Sequence, residues 1–66
     1  MTEEDRLRII LVAIATENYD ASYSADNLAT CALDPKFDLA DLGADENLLR
    51  EDLGRGARQY GFTTAI

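Results

Sequence analysis

The chain has 66 residues with 13 acidic and 6 basic side chains, a formal net charge of −7, one cysteine and no histidine. A single cysteine excludes an internal disulfide, and the lack of histidine removes the most common metal ligand and general base. So short a chain builds one core without a deep substrate pocket. We therefore expect one acidic domain over residues 1–66, with no enzymatic activity, no cofactor and no bound metal.

The first predicted element is a helix that begins after Thr2. Thr2 is an N-cap candidate, and the acids at 3–5 lie at the positive end of the helix dipole. Apolar residues then recur at helical spacing: Leu7, Ile10, Leu11 and Ile14. A strand over residues 7–15 is the competing interpretation because this run is rich in β-branched residues. The capping residues favour the helix.

Three further helix starts follow along the chain. Residues 17–20 break the helical pattern and 21–23 form a connector, after which Ser24 is the cap candidate for a short second helix. Asp34 followed by Pro35 predicts a third helix, because proline is favoured at the first helical position. Gly43 ends that helix, and Asp45 is the cap candidate for a fourth.

The fourth helix is predicted from a second apolar set at helical spacing, Leu49, Leu53, Ala57 and Tyr60. Gly54 and Gly56 weaken it and suggest a break, and Gly61 stops it. Residues 62–66 form either a short C-terminal strand or an apolar plug. The predicted fold is all-α, a small single-domain bundle of three or four short helices.

The hydrophobic core must come from the large apolar side chains. Those expected to contribute are Leu7, Ile9, Ile10, Leu11, Val12, Ile14, Leu28, Leu33, Phe37, Leu39, Leu42, Leu48, Leu49, Leu53, Tyr60 and Phe62. The run near the N-terminus is too short to span a bilayer, and the acids before it are unlike a signal peptide. We expect a cytoplasmic protein that has no membrane partner.

Charge is concentrated in residues 34–52, which we call the acidic segment. It carries seven acids and two bases, Lys36 and Arg50, and the wider stretch 17–52 has a net charge of −8. Four aspartates are spaced by four, three and four residues, so on a helix they would share one face. An ordinary solvated helix face is the simpler explanation. The candidate partner-binding residues are Asp34, Asp38, Asp41, Asp45, Glu46, Glu51 and Asp52.

This charge indicates the kind of partner. Direct binding to nucleic acid or to anionic membranes is disfavoured, because phosphate contacts require Lys and Arg. A basic protein surface is favoured, and electrostatic steering would speed the association. We expect the chain to act as a monomer.

The run LADLGADENLLREDL, residues 39–53, resembles the segment around the prosthetic-group site of acyl carrier proteins, which are small acidic helical bundles. In that family the LGAD run is followed by the serine that carries phosphopantetheine. Here Glu46 follows Asp45. The resemblance implies a helical fold and an acyl-carrier-like interaction module that lacks the prosthetic-group serine.

As a small, acidic, histidine-free domain, the chain also resembles the inhibitors that phages and mobile elements encode against host nucleases. Among these are anti-CRISPR and anti-restriction proteins that present carboxylates in place of DNA phosphates. The resemblance implies a non-enzymatic DNA mimic whose partner is a basic nucleic-acid-binding protein or nuclease complex, such as a CRISPR effector complex prevented from binding target DNA. A third hypothesis is protein binding through apolar anchors at Tyr19, Tyr23, Phe62 and Ile66.

Overall fold

A computed structural model of the chain describes residues 2–61. Its first helix, α1, spans Glu3–Ala15, and the Thr2 hydroxyl accepts the Asp5 N–H at 3.1 Å. The helix prediction for this run is therefore confirmed over the strand alternative. The chain leaves α1 with Glu17 in the left-handed region and the Asn18 N–H bonded to the Ala13 carbonyl, a Schellman arrangement.

The second helix, α2, spans Ala25–Ala32 and begins where the sequence predicts. The Ser24 hydroxyl accepts the Asn27 N–H, and the backbone of Ser24 is extended, as is usual at an N-cap. Leu28 is its one fully buried residue. Leu33, a predicted core residue, is instead 84% exposed just after the helix.

The predicted third helix does not form as one α-helix. A turn at 35–36 is followed by a short 3₁₀ helix over Leu39–Leu42. Two aspartates explain the difference, since their side chains compete with helical backbone bonding. Asp34 accepts the Lys36 N–H at 3.0 Å, and Asp38, in an extended conformation, accepts the Ala40 N–H at 3.0 Å. Each aspartate starts a new local structure.

The last helix, α3, spans Glu46–Tyr60 and ends at Gly61, which has a φ of 71°. The Asp45 carboxylate accepts the N–H groups of Asn47 and Leu48 at 3.0 and 3.2 Å, which confirms the predicted cap. The helix continues through both internal glycines, so the suggested break is absent. Its predicted apolar set ends early, because Tyr60 is 74% exposed.

Helix α1 is the centre of the bundle and packs against α2, α3 and the 3₁₀ helix, whereas the Cα atoms of α2 and α3 stay more than 8 Å apart. The buried core cluster consists of Ile9, Ala13, Leu28, Leu42, Leu49 and Leu53. Three other predicted core residues, Leu11, Leu48 and Tyr60, are exposed. The all-helical bundle is confirmed for residues 2–61, and the suggested C-terminal strand lies outside the described residues.

Candidate docking surface

The connection between α2 and α3, which contains most of the acidic segment, is held by the loop that follows α1. The Asp20 N–H donates to the Leu42 carbonyl at 3.0 Å. Gly43 has a φ of 67°, and a Cβ there would lie 2.7 Å from the Cβ of Asp20, so this approach requires glycine. Hydrogen bonding from Ser22 holds the pKa of the Asp20 carboxyl below its usual value.

Asn18 fixes the point where the connection becomes α3. Its Nδ2 donates to the Asp45 carbonyl at 3.1 Å, and its Oδ1 accepts the Asp45 N–H at 2.9 Å. One amide side chain thus satisfies both backbone groups of the α3 N-cap. The orientation of the Asp45 carboxylate therefore depends on a residue 27 positions earlier in the chain.

Arg6 ties the start of the acidic segment to α1. It is 8% exposed, forms a two-pronged ion pair with Glu3 at 2.8 and 2.6 Å, and donates to the Ala32 and Phe37 carbonyls at 2.8 and 3.4 Å. The bond with Arg6 lowers the pKa of Glu3 and raises that of Arg6. Arg6 is thus engaged in structure and is not presented to a partner.

Three aspartates of the acidic segment are held in place by their own backbone. Asp34, Asp38 and Asp45 each accept N–H groups two or three residues ahead, and all these bonds use Oδ1. Within residues 2–61, Oδ2 of each carboxylate accepts no hydrogen bond, and all three residues are exposed. Capping therefore fixes these carboxylates and still leaves one oxygen for an external donor.

The other four acids divide into two pairs. The side chains of Asp41 and Glu46 are exposed and have no hydrogen-bond or ion-pair partner among the described residues. Glu51 and Asp52 share Arg55, Glu51 at 3.7 Å and Asp52 through a close ion pair. The Asp52 side chain is only 14% exposed, so it is the least available of the seven predicted partner-binding residues.

The four regularly spaced aspartates do not share one helix face. Asp34 lies before a turn, Asp38 and Asp45 are N-caps of different helices, and Asp41 lies inside the 3₁₀ helix. The prediction that these aspartates would share one helix face is therefore wrong. All four aspartates are exposed, and three of them start a turn or a helix through hydrogen bonds to the backbone.

A mostly apolar groove of about 330 Å³ opens between α1 and the acidic segment. Its lining consists of Ile9, Leu39, Ala40, Leu42, Gly43, Ala44, Glu46, Leu49 and Arg50. Sequence reasoning missed this groove, together with Asn18 and the contact between Gly43 and Asp20. All three depend on segments that are distant in sequence, and only the glycine gave a local signal.

Other kinds of site receive no support from residues 2–61. No three acidic or cysteine side chains are grouped there so as to hold a metal ion, and no helix has the length and apolar character needed to cross a membrane. Of the apolar anchors in the third hypothesis, Tyr19 and Tyr23 pack against the core, and Phe62 and Ile66 lie outside the described residues. Comparisons with protein-family models, curated proteins and solved structures found no match.

Proposed function

We propose that the protein is a non-enzymatic inhibitor that docks its acidic segment on a basic nucleic-acid-binding surface of another protein. The observation that carries this proposal is the group of exposed carboxylates in residues 34–46, three of which are fixed by backbone hydrogen bonds. Fixed carboxylates lose little freedom when they meet Lys or Arg, which favours binding. Charge-assisted hydrogen bonds are also the strongest that such surfaces form.

The charge distribution supports a basic partner over other kinds. The seven acids of the segment outnumber its two bases, Lys36 and Arg50, which form no ion pair within residues 2–61. From outside the segment, Arg55 pairs with Glu51 and Asp52, and the charge of Arg6 acts on Asp34. A surface of this sign attracts the Lys- and Arg-rich grooves that hold phosphates, and it speeds the encounter. We expect such a partner in the bacterial cytoplasm, with a CRISPR effector complex or another host nuclease as the specific proposal.

Inhibition would follow from competition for the same surface. Carboxylates paired with the partner's Lys and Arg prevent those residues from holding DNA phosphates. No bond is made or broken in this mechanism, and no cofactor is needed. Binding should weaken as salt rises, because exposed charges are screened over a Debye length of about 10 Å at 0.1 M salt.

The test uses charge reversal at acids that have no capping role. The double variant Asp41→Lys, Glu51→Lys shifts the net charge by four units, from −7 to −3. We expect it to lose capture of the partner from a bacterial lysate at low salt while it keeps its helical circular dichroism. Asp38 and Asp45 are unsuitable because their substitution would remove caps worth about 1 kcal/mol each.

The matched control is Glu4→Lys, Glu17→Lys, which makes the same charge change outside the acidic segment. This control should retain most of the captured partner. Equal loss in both double variants would mean that only net charge matters. Undiminished capture by Asp41→Lys, Glu51→Lys would contradict the proposed docking surface.

A second candidate function is an acyl-carrier-like interaction module without the prosthetic-group serine. It is favoured by the position of the LGAD run, which leads directly into α3 and leaves the exposed Glu46 as the first helical residue. Capture of fatty-acid or polyketide enzymes that DNA does not displace would support it. A mass gain on a serine after incubation with a phosphopantetheinyl transferase would point to carrier function itself.

A further inference from the structure

The acidic segment contributes both apolar and acidic side chains next to a groove. Residues that line the groove alternate with aspartates along the chain. Leu39, Ala40 and Leu42 line the groove within the 3₁₀ helix, and Ala44 lines it just before α3. Asp38, Asp41 and Asp45 interrupt these residues in sequence and are exposed. Glu46 is the one carboxylate in the lining, Arg50 is its one base, and the three exposed aspartates directly adjoin lining residues in the chain.

The volume of the groove suits one large side chain. It measures about 330 Å³ and is open to solvent, whereas a closed apolar cavity of about 150 Å³ is enough to hold benzene. Protein interfaces concentrate binding energy in aromatic or Arg anchors that fill such central depressions. A polar rim around the anchor keeps water out and selects the partner by charge.

We propose that the groove receives an aromatic side chain of the basic partner, flanked in that partner by Lys or Arg. The choice of occupant follows from charge complementarity, because Glu46 and the three exposed aspartates adjacent to lining residues outnumber the one base of the lining, Arg50. A negatively charged small molecule would be repelled by the same residues. This inference rests on the proposed function and adds the kind of residue that the partner must present.

Two side chains at the groove set the direction of the bound segment. Glu46 and Arg50 both line it, one helical turn apart on α3. A partner Lys or Arg next to the aromatic residue is attracted to Glu46 and repelled from Arg50. The flanking bases are therefore expected at the Glu46 end of the groove.

The test uses two synthetic peptides, one with a single tryptophan between lysines and arginines, and one with glycine in its place. The chain has no tryptophan, so the emission of the peptide reports its own environment. We expect the tryptophan peptide to bind about tenfold more tightly than the glycine peptide, with emission shifted to the blue. The shift would show the indole leaving water.

Variants with larger side chains that fill the groove test whether the groove causes the preference for tryptophan. Ala40→Phe and, as a second variant, Ala44→Leu should remove both the tenfold preference and the blue shift. Ala29→Phe, the same kind of change at an exposed position on α2, should leave both unchanged. Circular dichroism of each variant confirms that the helices are retained.

The outcomes separate this inference from the function on which it rests. If the wild-type protein shows no preference for tryptophan, or if Ala40→Phe and Ala44→Leu keep it, the groove is not the binding site for an aromatic residue. Salt-sensitive binding of both peptides that Asp41→Lys, Glu51→Lys abolishes would still support the proposed function. If neither peptide binds at low salt, or if that double variant binds both normally, the proposed function fails as well.

Discussion

Two glycines of this chain differ in what an added methyl group would meet. At Gly43 the φ is 67° and a Cβ would lie 2.7 Å from Asp20, whereas at Gly54 the nearest contact is Arg58 at 3.7 Å. Gly43→Ala should therefore lower the free energy of unfolding by more than about 1 kcal/mol. Gly54→Ala should raise it by about 1 kcal/mol, because alanine favours the helix.

Urea unfolding of the two variants beside the wild-type protein measures both changes. The two changes in the free energy of unfolding should have opposite signs. A stable Gly43→Ala protein would mean that the connection before α3 does not lie against Asp20 as described. A lower free energy of unfolding for Gly54→Ala would mean that α3 is crowded at that position.

The ion pair between Glu3 and Arg6 predicts a pH dependence of stability. Hydrogen bonding to Arg6 holds the pKa of Glu3 below its ordinary value of 4.5. A carboxyl whose pKa is lowered by folding stabilises the protein above the unfolded-state value, and this contribution is lost as pH falls through the folded-state value. The urea midpoint of the wild-type protein should thus fall as pH drops below 4.5.

Glu3→Gln removes the titrating group and serves as the comparison. The variant should be less stable at neutral pH, because Arg6 is buried without its ion pair. Its urea midpoint should also change less across the acidic range than that of the wild-type protein. Parallel pH profiles would show that Glu3 does not contribute through its charge.

Among the secondary-structure elements, the start of α3 depends on Asn18 in the loop after α1. Asn18→Ala removes two hydrogen bonds to the Asp45 backbone and should lower the free energy of unfolding by about 1–2 kcal/mol. Hydrogen exchange at the first amides of α3 should accelerate more than exchange in α2. Asn47→Ala, at an exposed site in the first turn of the same helix, is the control and should have little effect.

Helix starts were predictable from the sequence because capping is local. Thr2, Ser24 and Asp45 each bind N–H groups two or three residues ahead, so a short pattern contains the whole interaction. The same local chemistry operates at Asp38, and it is the reason why a 3₁₀ helix replaces the predicted third α-helix. The regular spacing of the four aspartates predicts one helix face, but two of them, Asp38 and Asp45, are N-caps of different helices.

The buried face of α1 was not predictable, because this helix is apolar on most sides. The structure buries Ile9, Ile10 and Ala13 and leaves Leu11 62% exposed. Arg6 lies on the same buried face, and its carbonyl partners, Ala32 and Phe37, lie 26 and 31 residues away. No periodicity within a helix reveals contacts of that kind. The exposure of the acids followed from their charge, but the groove among them depends on such long-range packing.

At the scale of the whole molecule, a net charge of −7 on 66 residues predicts opposite effects of salt on folding and on binding. Self-repulsion destabilises a compact acidic domain, so the Tm should rise when salt increases from about 50 to 200 mM. The rise should be smaller for Asp41→Lys, Glu51→Lys, which has less charge to screen. Binding to a basic partner should weaken over the same range. A Tm that is insensitive to salt would contradict the expected destabilisation by self-repulsion.

The central claim, that the acidic segment occupies a surface built for nucleic acid, is tested most directly by competition with DNA. The immobilised protein is loaded with its captured partner at low salt, and duplex DNA is added in increasing amounts at constant salt. DNA should release the partner, and preloaded DNA should block capture. The double variant Glu4→Lys, Glu17→Lys should behave like the wild-type protein. A partner that binds DNA and this protein at the same time would contradict the account.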